Sequence, residues 1–384
     1  MSRRRQYRPA SRAQVRLIAA LTRAMLFLLL VIFVVFIFEY INGFHDAANA
    51  IATVVSTRVL TPRFAVLLAA CFNLLGALSG EAVAKTVGAG LVDTAYVTSL
   101  TILAAMLGGI FWNLFTWWLG LPTSSSHALI GGLCGAALAS AGGKWSVIKW
   151  SLTKVDPHTG STAWDGLLPK VILPMISSPV AGLVGGYLIM MLLFVIVRKW
   201  TPWAVNKTFG KLQLLSAGYM AWGHGFADAQ KTMGVIALAT FAATKAGKLE
   251  HLPTMFRFLY TPKFEVQLWI KVACAVVMGA GTWAGGWRII RTLGHKLITM
   301  RPVHGFAAET TGATILLVAG RLGMPVSTTH AITTSIMGVG AAKQPGSLDK
   351  VMAERIVWAW IFTIPCAGGL AYVLFRSLNL FIAS

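Results

Sequence analysis

The chain has 384 residues, of which 56% are hydrophobic and only 12% charged. That balance excludes an ordinary water-soluble globular domain and leaves a polytopic membrane protein. The formal net charge of +21 would suggest nucleic acid in a soluble chain. Here the basic residues gather in tails and loops between apolar runs, where they suit positive-inside topology and anionic lipid, so the bilayer is the expected partner and nucleic acid is not.

In chain order, residues 1–23 form a basic tail with seven Arg and no acid. The apolar run that follows continues into Gly43 without a small-residue cleavage site, so a retained tail and a first spanning helix are predicted rather than a signal peptide. Apolar runs near the 20 residues needed to span lie at 24–42, 63–79, 97–119, 170–197, 265–287, 304–320 and 355–376. The stretches 123–141, 214–242 and 326–342 are rich in Gly, hydroxyls or charge and are predicted to be broken half-helices, tolerated only when buried in protein or lining a cavity. Together these runs predict an all-α polytopic membrane protein of about 10–12 membrane helices, some of them broken or re-entrant. The four cysteines, Cys71, Cys134, Cys274 and Cys366, lie singly in separate segments and form no metal or disulfide pattern.

The chain repeats itself. Pro122-Thr-Ser-Ser-Ser-His127 and Pro325-Val-Ser-Thr-Thr-His330 recur at a spacing of 203, each preceded by a Gly two residues before the Pro. Leu103 to Gly109 aligns with Phe306 to Gly312 at the same spacing, and Gly43-Phe-His-Asp46 shares its frame with Gly225-Phe-Ala-Asp228. The organisation expected is a first repeat at 24–142, a connecting loop, helix and basic linker at 143–211, a second repeat at 212–342 and a C-terminal helix within 343–384. The second repeat holds about 21 extra residues, most naturally in the basic stretch Lys245 to Lys263. Doubled halves with interrupted apolar segments point to a transporter with inverted-topology repeats and a site at their interface.

Asp46 and Asp228 are the sharpest chemical features, because a carboxylate within a spanning segment is costly and marks function by default. Gly43 and Gly225, three residues upstream of each, are places where the backbone could unwind and offer carbonyls to a cation, and hard cations favour such oxygen ligands. Asn49 and Gln230 add amide groups, and Lys231 adds a charge that either meets an anion or neutralises Asp228. The hydroxyls of Thr123, Ser124, Ser125 and Ser126, and of Ser327, Thr328 and Thr329, open helices, where free N–H groups and the helix dipole favour anions. Ordinary capping is the plainer alternative, but capping needs one hydroxyl and not three in a row, twice. His127 and His330 end the clusters as ligands or as satisfied structural donors. His45 beside Asp46 suits proton handling, since histidine is the side-chain type whose unperturbed charge change falls near neutral pH. Glu309 stands where the first half has Met106, an asymmetry that suits a coupling ion or a gate. A membrane hydrolase built on Ser126 and His127 is disfavoured, since neighbours on a helix do not face each other and no nucleophile elbow is present.

Gly43 to Ala50, Gly120 to Gly132, Asp228 to Gly234, Gly286 to Gly294 and Gly323 to His330 resemble the inorganic phosphate transporter (PiT) family, in its bacterial low-affinity form, over about residues 35–378. The family's G-x-N-D pattern is altered, with His45 and Ala227 at the Asn positions, while Asp46, Asn49 and Asp228 match. The resemblance implies a multi-pass transporter of the inner membrane that is not an enzyme and has no bound cofactor. It would import phosphate with a cation, a proton in the reading favoured by His45 and sodium in the alternative, and some members carry divalent-metal phosphate. Another oxyanion such as sulfate is the rival substrate, and a homodimer stays open. The phosphate ligands implied are Thr123 to Ser126, Ser327 to Thr329, Asn49, Gln230 and Lys231; the coupling residues are Asp46, Asp228, His45 and Glu309, with no resident metal.

Overall fold

The computed structural model describes residues 12–155, 162–250, 252–293, 299–344, 346 and 349–383. The first eleven residues of the basic tail lie outside them, and helix α1 (Arg12–Ser56) takes in the rest of that tail. Pro62 opens α2 (Pro62–Ala77), its fixed φ suiting the first turn. A short α3 (Ala82–Lys85) runs into a wider turn ending at Gly90, bent 65° from α2. Thr98 and Thr101 form a reciprocal cap that starts α4 (Ser99–Leu119), and α5 (Ser125–Ser140) follows. The second half repeats the order. After α6 (Leu173–Val197) come α7 (Pro202–Lys245), α8 (Leu268–Ala284), α9 (Trp287–Arg291), α10 (Pro302–Arg321), α11 (Thr328–Lys343) and α12 (Lys350–Ala383). The connection from α1 to α2 is residues 57–61, whereas that from α7 to α8 is residues 246–267, the stretch expected to hold the extra residues.

Three expectations change. The all-helical expectation has an exception in the polar stretch after α5, where Leu152–Val155 pairs antiparallel with Thr162–Asp165. The stretch 214–242, expected to be broken, is uninterrupted helix within α7. Nor does the backbone unwind at Gly43 or Gly225. Both are helical, and their role is close approach: a Cβ on Gly43 would lie 2.5 Å from the Met278 carbonyl oxygen of α8, and one on Gly225 would lie 2.1 Å from that of Asn73 on α2. The cost of glycine in a helix, about 1 kcal/mol, is offset here by backbone packing that no other residue permits.

These crossings are reciprocal. α1 packs on α8 and α7 packs on α2, α5 lies along α12 and α11 along α6. A Cβ on Gly135 of α5 would meet the Gly368 carbonyl oxygen at 2.0 Å, and one on Gly338 of α11 would meet that of Leu183 at 2.1 Å. The helices α6 and α12, placed by the sequence in a connector and a terminal segment, thus pack equivalently against the two hydroxyl-bearing helices.

Among the described residues, four helices are long and apolar enough to cross a membrane, or five if the bent α2 and α3 pair counts as one span. The larger number expected from sequence counts half-helices and polar helices as well. With 16 residues each, α5 and α11 are about 24 Å long, short of the roughly 30 Å of hydrocarbon. The apolar surface is outside, as on α6, where Leu173, Ile176, Val180 and Leu188 are exposed, while Asp46, Asp228, Lys231 and Glu309 are buried in the interior. Gly225→Val should destabilise the α2 and α7 crossing by about 1–3 kcal/mol or more, seen as a lower melting temperature and loss of monodisperse protein in detergent.

Candidate functional site

Two helical hairpins deliver the hydroxyls to the centre. α4 ends at Gly120 and α10 is followed by Gly323, both left-handed (φ 68° and 66°), which lets the chain reverse within a few residues and begin α5 and α11. At the new helix starts, the Ser124 hydroxyl accepts from the His127 N–H at 3.1 Å and Ser327 accepts from the His330 N–H at 3.2 Å. These two serines are caps, so the plainer reading holds for them. The remaining hydroxyls are free for other work.

Asp228 is the hub. Its carboxylate is ion-paired to Lys231 one turn along α7, accepts from the Thr328 hydroxyl at 2.9 Å, and lies 3.3 Å from Nε2 of His224. Lys231 also donates to the Ser126 hydroxyl of α5 and, at 2.8 Å, to the carbonyl oxygen of Val326 just before α11. One ammonium therefore joins both hairpins to the Asp228 helix. From α1, Asn49 donates to Thr328 at 3.1 Å and to Thr329 at 3.0 Å, and Thr329 donates to Asp46 at 3.4 Å. His45 Nδ1 lies 2.8 Å from Asp46, and its other nitrogen lies 3.4 Å from the Thr116 hydroxyl, which contacts Thr123 at 2.8 Å. All of these residues are buried.

Asp46, His224 and Asp228 offer ligand atoms within 4.8 Å of one another. The sequence reading named no metal-holding set; the fold supplies this one, because α1 and α7 come side by side. Two carboxylate oxygens suit a hard cation and the imidazole adds a ligand that transition metals accept. His224 was visible in sequence as a neighbour of the Asp motif, and its spacing of four from Asp228 is the signal that puts both on one helix face. Its Nδ1 lies 2.9 Å from Asn73, which donates to Thr282 at 2.9 Å, so α2 and α8 orient the ring.

Not every expected residue joins this centre. Gln230 accepts from the Val83 N–H at 2.9 Å and donates to the Phe226 carbonyl at 2.6 Å, tying α3 to α7 on a face turned away from Asp228. Glu309 stands apart too, accepting from Thr53 at 2.6 Å, Gln213 at 3.0 Å and Ser216. His127 and His330 meet edge to face with ring centroids 4.8 Å apart, and His330 stacks on Trp360 at 3.8 Å. The hydroxyl of Ser125, the amide oxygen of Asn49 and Nε2 of His224 have no hydrogen-bond partner although all three are buried. They are groups in the centre with unused capacity for a guest.

A buried centre of carboxylates, a lysine and paired helix N-termini, inside a shell of outward apolar side chains, defines a membrane transport protein. The chain belongs to the phosphate transporter family, whose profile matches residues 42–371. It is 42% identical over 344 residues to a probable low-affinity inorganic phosphate transporter of Rhizobium meliloti (strain 1021), spanning 89% of this chain and 94% of that one. A relative of the same description in Bacillus subtilis (strain 168) is 38% identical, spanning 92% of this chain and 97% of its own. These relatives are transporters and not enzymes, so the hydrolase reading falls. A solved structure described as the sodium-dependent phosphate transporter shares the fold, with a TM-score of 0.76 and 21% identity over 92% of this chain and 99% of that one.

Ser125→Ala and Thr328→Val should each weaken phosphate binding by about 1–3 kcal/mol, since a buried anion that loses a donor cannot be rehydrated. Gln230→Ala should leave that affinity unchanged and lower thermal stability instead. Calorimetric titration of purified protein with phosphate, beside melting curves, separates the two.

Proposed function

We propose that the chain imports inorganic phosphate across the inner membrane by symport with protons, alone or with a divalent cation carried alongside the phosphate. The observation that carries this reading is the position of Lys231, bonded at once to Asp228, Ser126 and the backbone before α11. While Lys231 neutralises Asp228, its charge is unavailable to an anion. A cation bound between Asp46 and Asp228 takes over that neutralisation and frees the ammonium for phosphate held by Ser125, Ser126, Thr328 and Thr329, with Thr123 and Asn49 behind them.

Electrostatics then enforces coupling. A phosphate charge about 5 Å from an unneutralised carboxylate is repelled by about 3 kcal/mol at an effective dielectric of about 20. Phosphate therefore binds well only after the cation. A dianion entering a cell with a negative interior also costs about 2.3 kcal/mol per charge per 100 mV, so at least two positive charges must travel with it to cancel the voltage. The two hairpins belong to the two repeats, and rocking of one repeat against the other about this centre, in the manner of inverted-repeat transporters, would expose it to either side in turn. Glu309 and His45 are the further residues assigned to coupling.

His45, hydrogen-bonded to Asp46, favours the proton as coupling ion, because an imidazole beside a central carboxylate can pass a proton to it or take one from it. Sodium is the second reading, supported by the shared fold with a transporter described as sodium-dependent. Phosphate uptake into proteoliposomes under separately imposed proton, sodium and voltage gradients separates them. Accumulation is expected with an inside-alkaline gradient and no sodium, and Asp46→Asn and Asp228→Asn should each abolish it. Uptake that requires sodium and ignores the pH gradient would establish the second reading; competition by sulfate as strong as by phosphate would overturn the substrate.

A further inference from the structure

Glu39 lies two turns before Asp46 on α1, is fully buried, and has no role in the centre described above. One of its oxygens accepts from Thr232 of α7 at 2.5 Å and from Asn42 at 3.4 Å, and the other, Oε1, has no hydrogen-bond partner. The titratable groups facing it from the helices packed around it are Asp228 and Lys231 of α7 and Cys274 of α8. Lys231 is already committed to Asp228. A carboxylate so placed inside a membrane protein, with no cation bonded to it, is costly as an anion, and its open oxygen can take a proton.

Its position matters as much as its burial. Glu39, Asp46 and Thr53 are spaced by seven residues, so all three lie along one stripe of α1. At the far end of that stripe, Thr53 holds Glu309, which Gln213 and Ser216 of α7 also hold. Glu39 meets α7 after Asp228, whereas Glu309 meets it before Asp228, so α1 and α7 run antiparallel. Along α1, Asp46 then sits between two buried acids, Glu39 about 10 Å to one side and Glu309, held by Thr53, about 10 Å to the other. The bond from Thr232 to Glu39 also joins the two helices that carry the central carboxylates, so any movement of α1 against α7 breaks it.

We propose that Glu39 is a proton-carrying residue of the transport cycle, the counterpart of Glu309 on the opposite side of the central site. Its proton is held while Thr232 clamps it and is released when α1 and α7 separate. This rests on the proton-coupled reading above and adds a carrier that the duplicated motifs do not contain.

The test uses the full chain in proteoliposomes with a trapped pH-sensitive dye, measuring protons taken up per phosphate and, separately, phosphate exchange at equal pH. Glu39→Gln should exchange phosphate at close to the wild-type rate while one fewer proton enters per phosphate. Accumulation should then fall about tenfold for each unit of imposed pH gradient. Glu39→Asp, which keeps a titratable group, should retain the wild-type ratio. An unchanged proton ratio in Glu39→Gln would overturn the proposal, as would equal loss of exchange in both variants, which marks a structural residue. Wild-type protein that takes up no protons with phosphate would instead overturn the proton reading itself.

Discussion

The ion pair between Asp228 and Lys231 is the interaction on which the centre depends. A single buried aspartate would be expensive inside a membrane protein, and an unpaired lysine equally so. Joined one turn apart on α7, they can be buried together, and the ammonium's remaining donors hold Ser126 of one hairpin and the Val326 carbonyl of the other. The pair is thus both a charge balance and a clamp between the two hydroxyl-bearing helices. The same clamp makes the centre responsive, since whatever competes with Lys231 for Asp228 also loosens its hold on both helix starts.

Around this clamp, backbone contact does what side chains do in a soluble core. Gly43 against α8 and Gly225 against α2 allow the carboxylate-bearing helices to approach their neighbours to the limit of van der Waals contact, and Gly135 and Gly338 do the same for α5 and α11. In lipid there is little hydrophobic gain from pressing apolar faces together, so close packing and interhelical hydrogen bonds carry the association. Small residues at reciprocal crossings are therefore a condition for placing Asp46 and Asp228 within reach of one cation.

Much of the chemistry was legible in the chain itself. Carboxylates and runs of hydroxyls are rare inside apolar segments, so Asp46, Asp228 and the two clusters announced themselves, and their recurrence at fixed spacing marked a doubled architecture. Local rules also placed the clusters at helix starts, where Ser124 and Ser327 do cap. What misled was glycine. A helix-weakening residue beside an aspartate reads as an unwound segment, but its effect depends on what approaches it, and here another backbone does.

Composition and repetition therefore determined the class, the duplicated frame and most of the polar centre, because charge and hydroxyl content are properties of the residues alone. Only the tertiary structure decided which of those residues meet. It turned Gln230 toward α3, brought His224 of α7 beside Asp46 of α1, and set Glu39 against Thr232 although 193 positions separate them in the chain. Contacts between distant segments follow from the crossing of whole helices, and the local sequence around a residue holds no record of the helix that will lie against it.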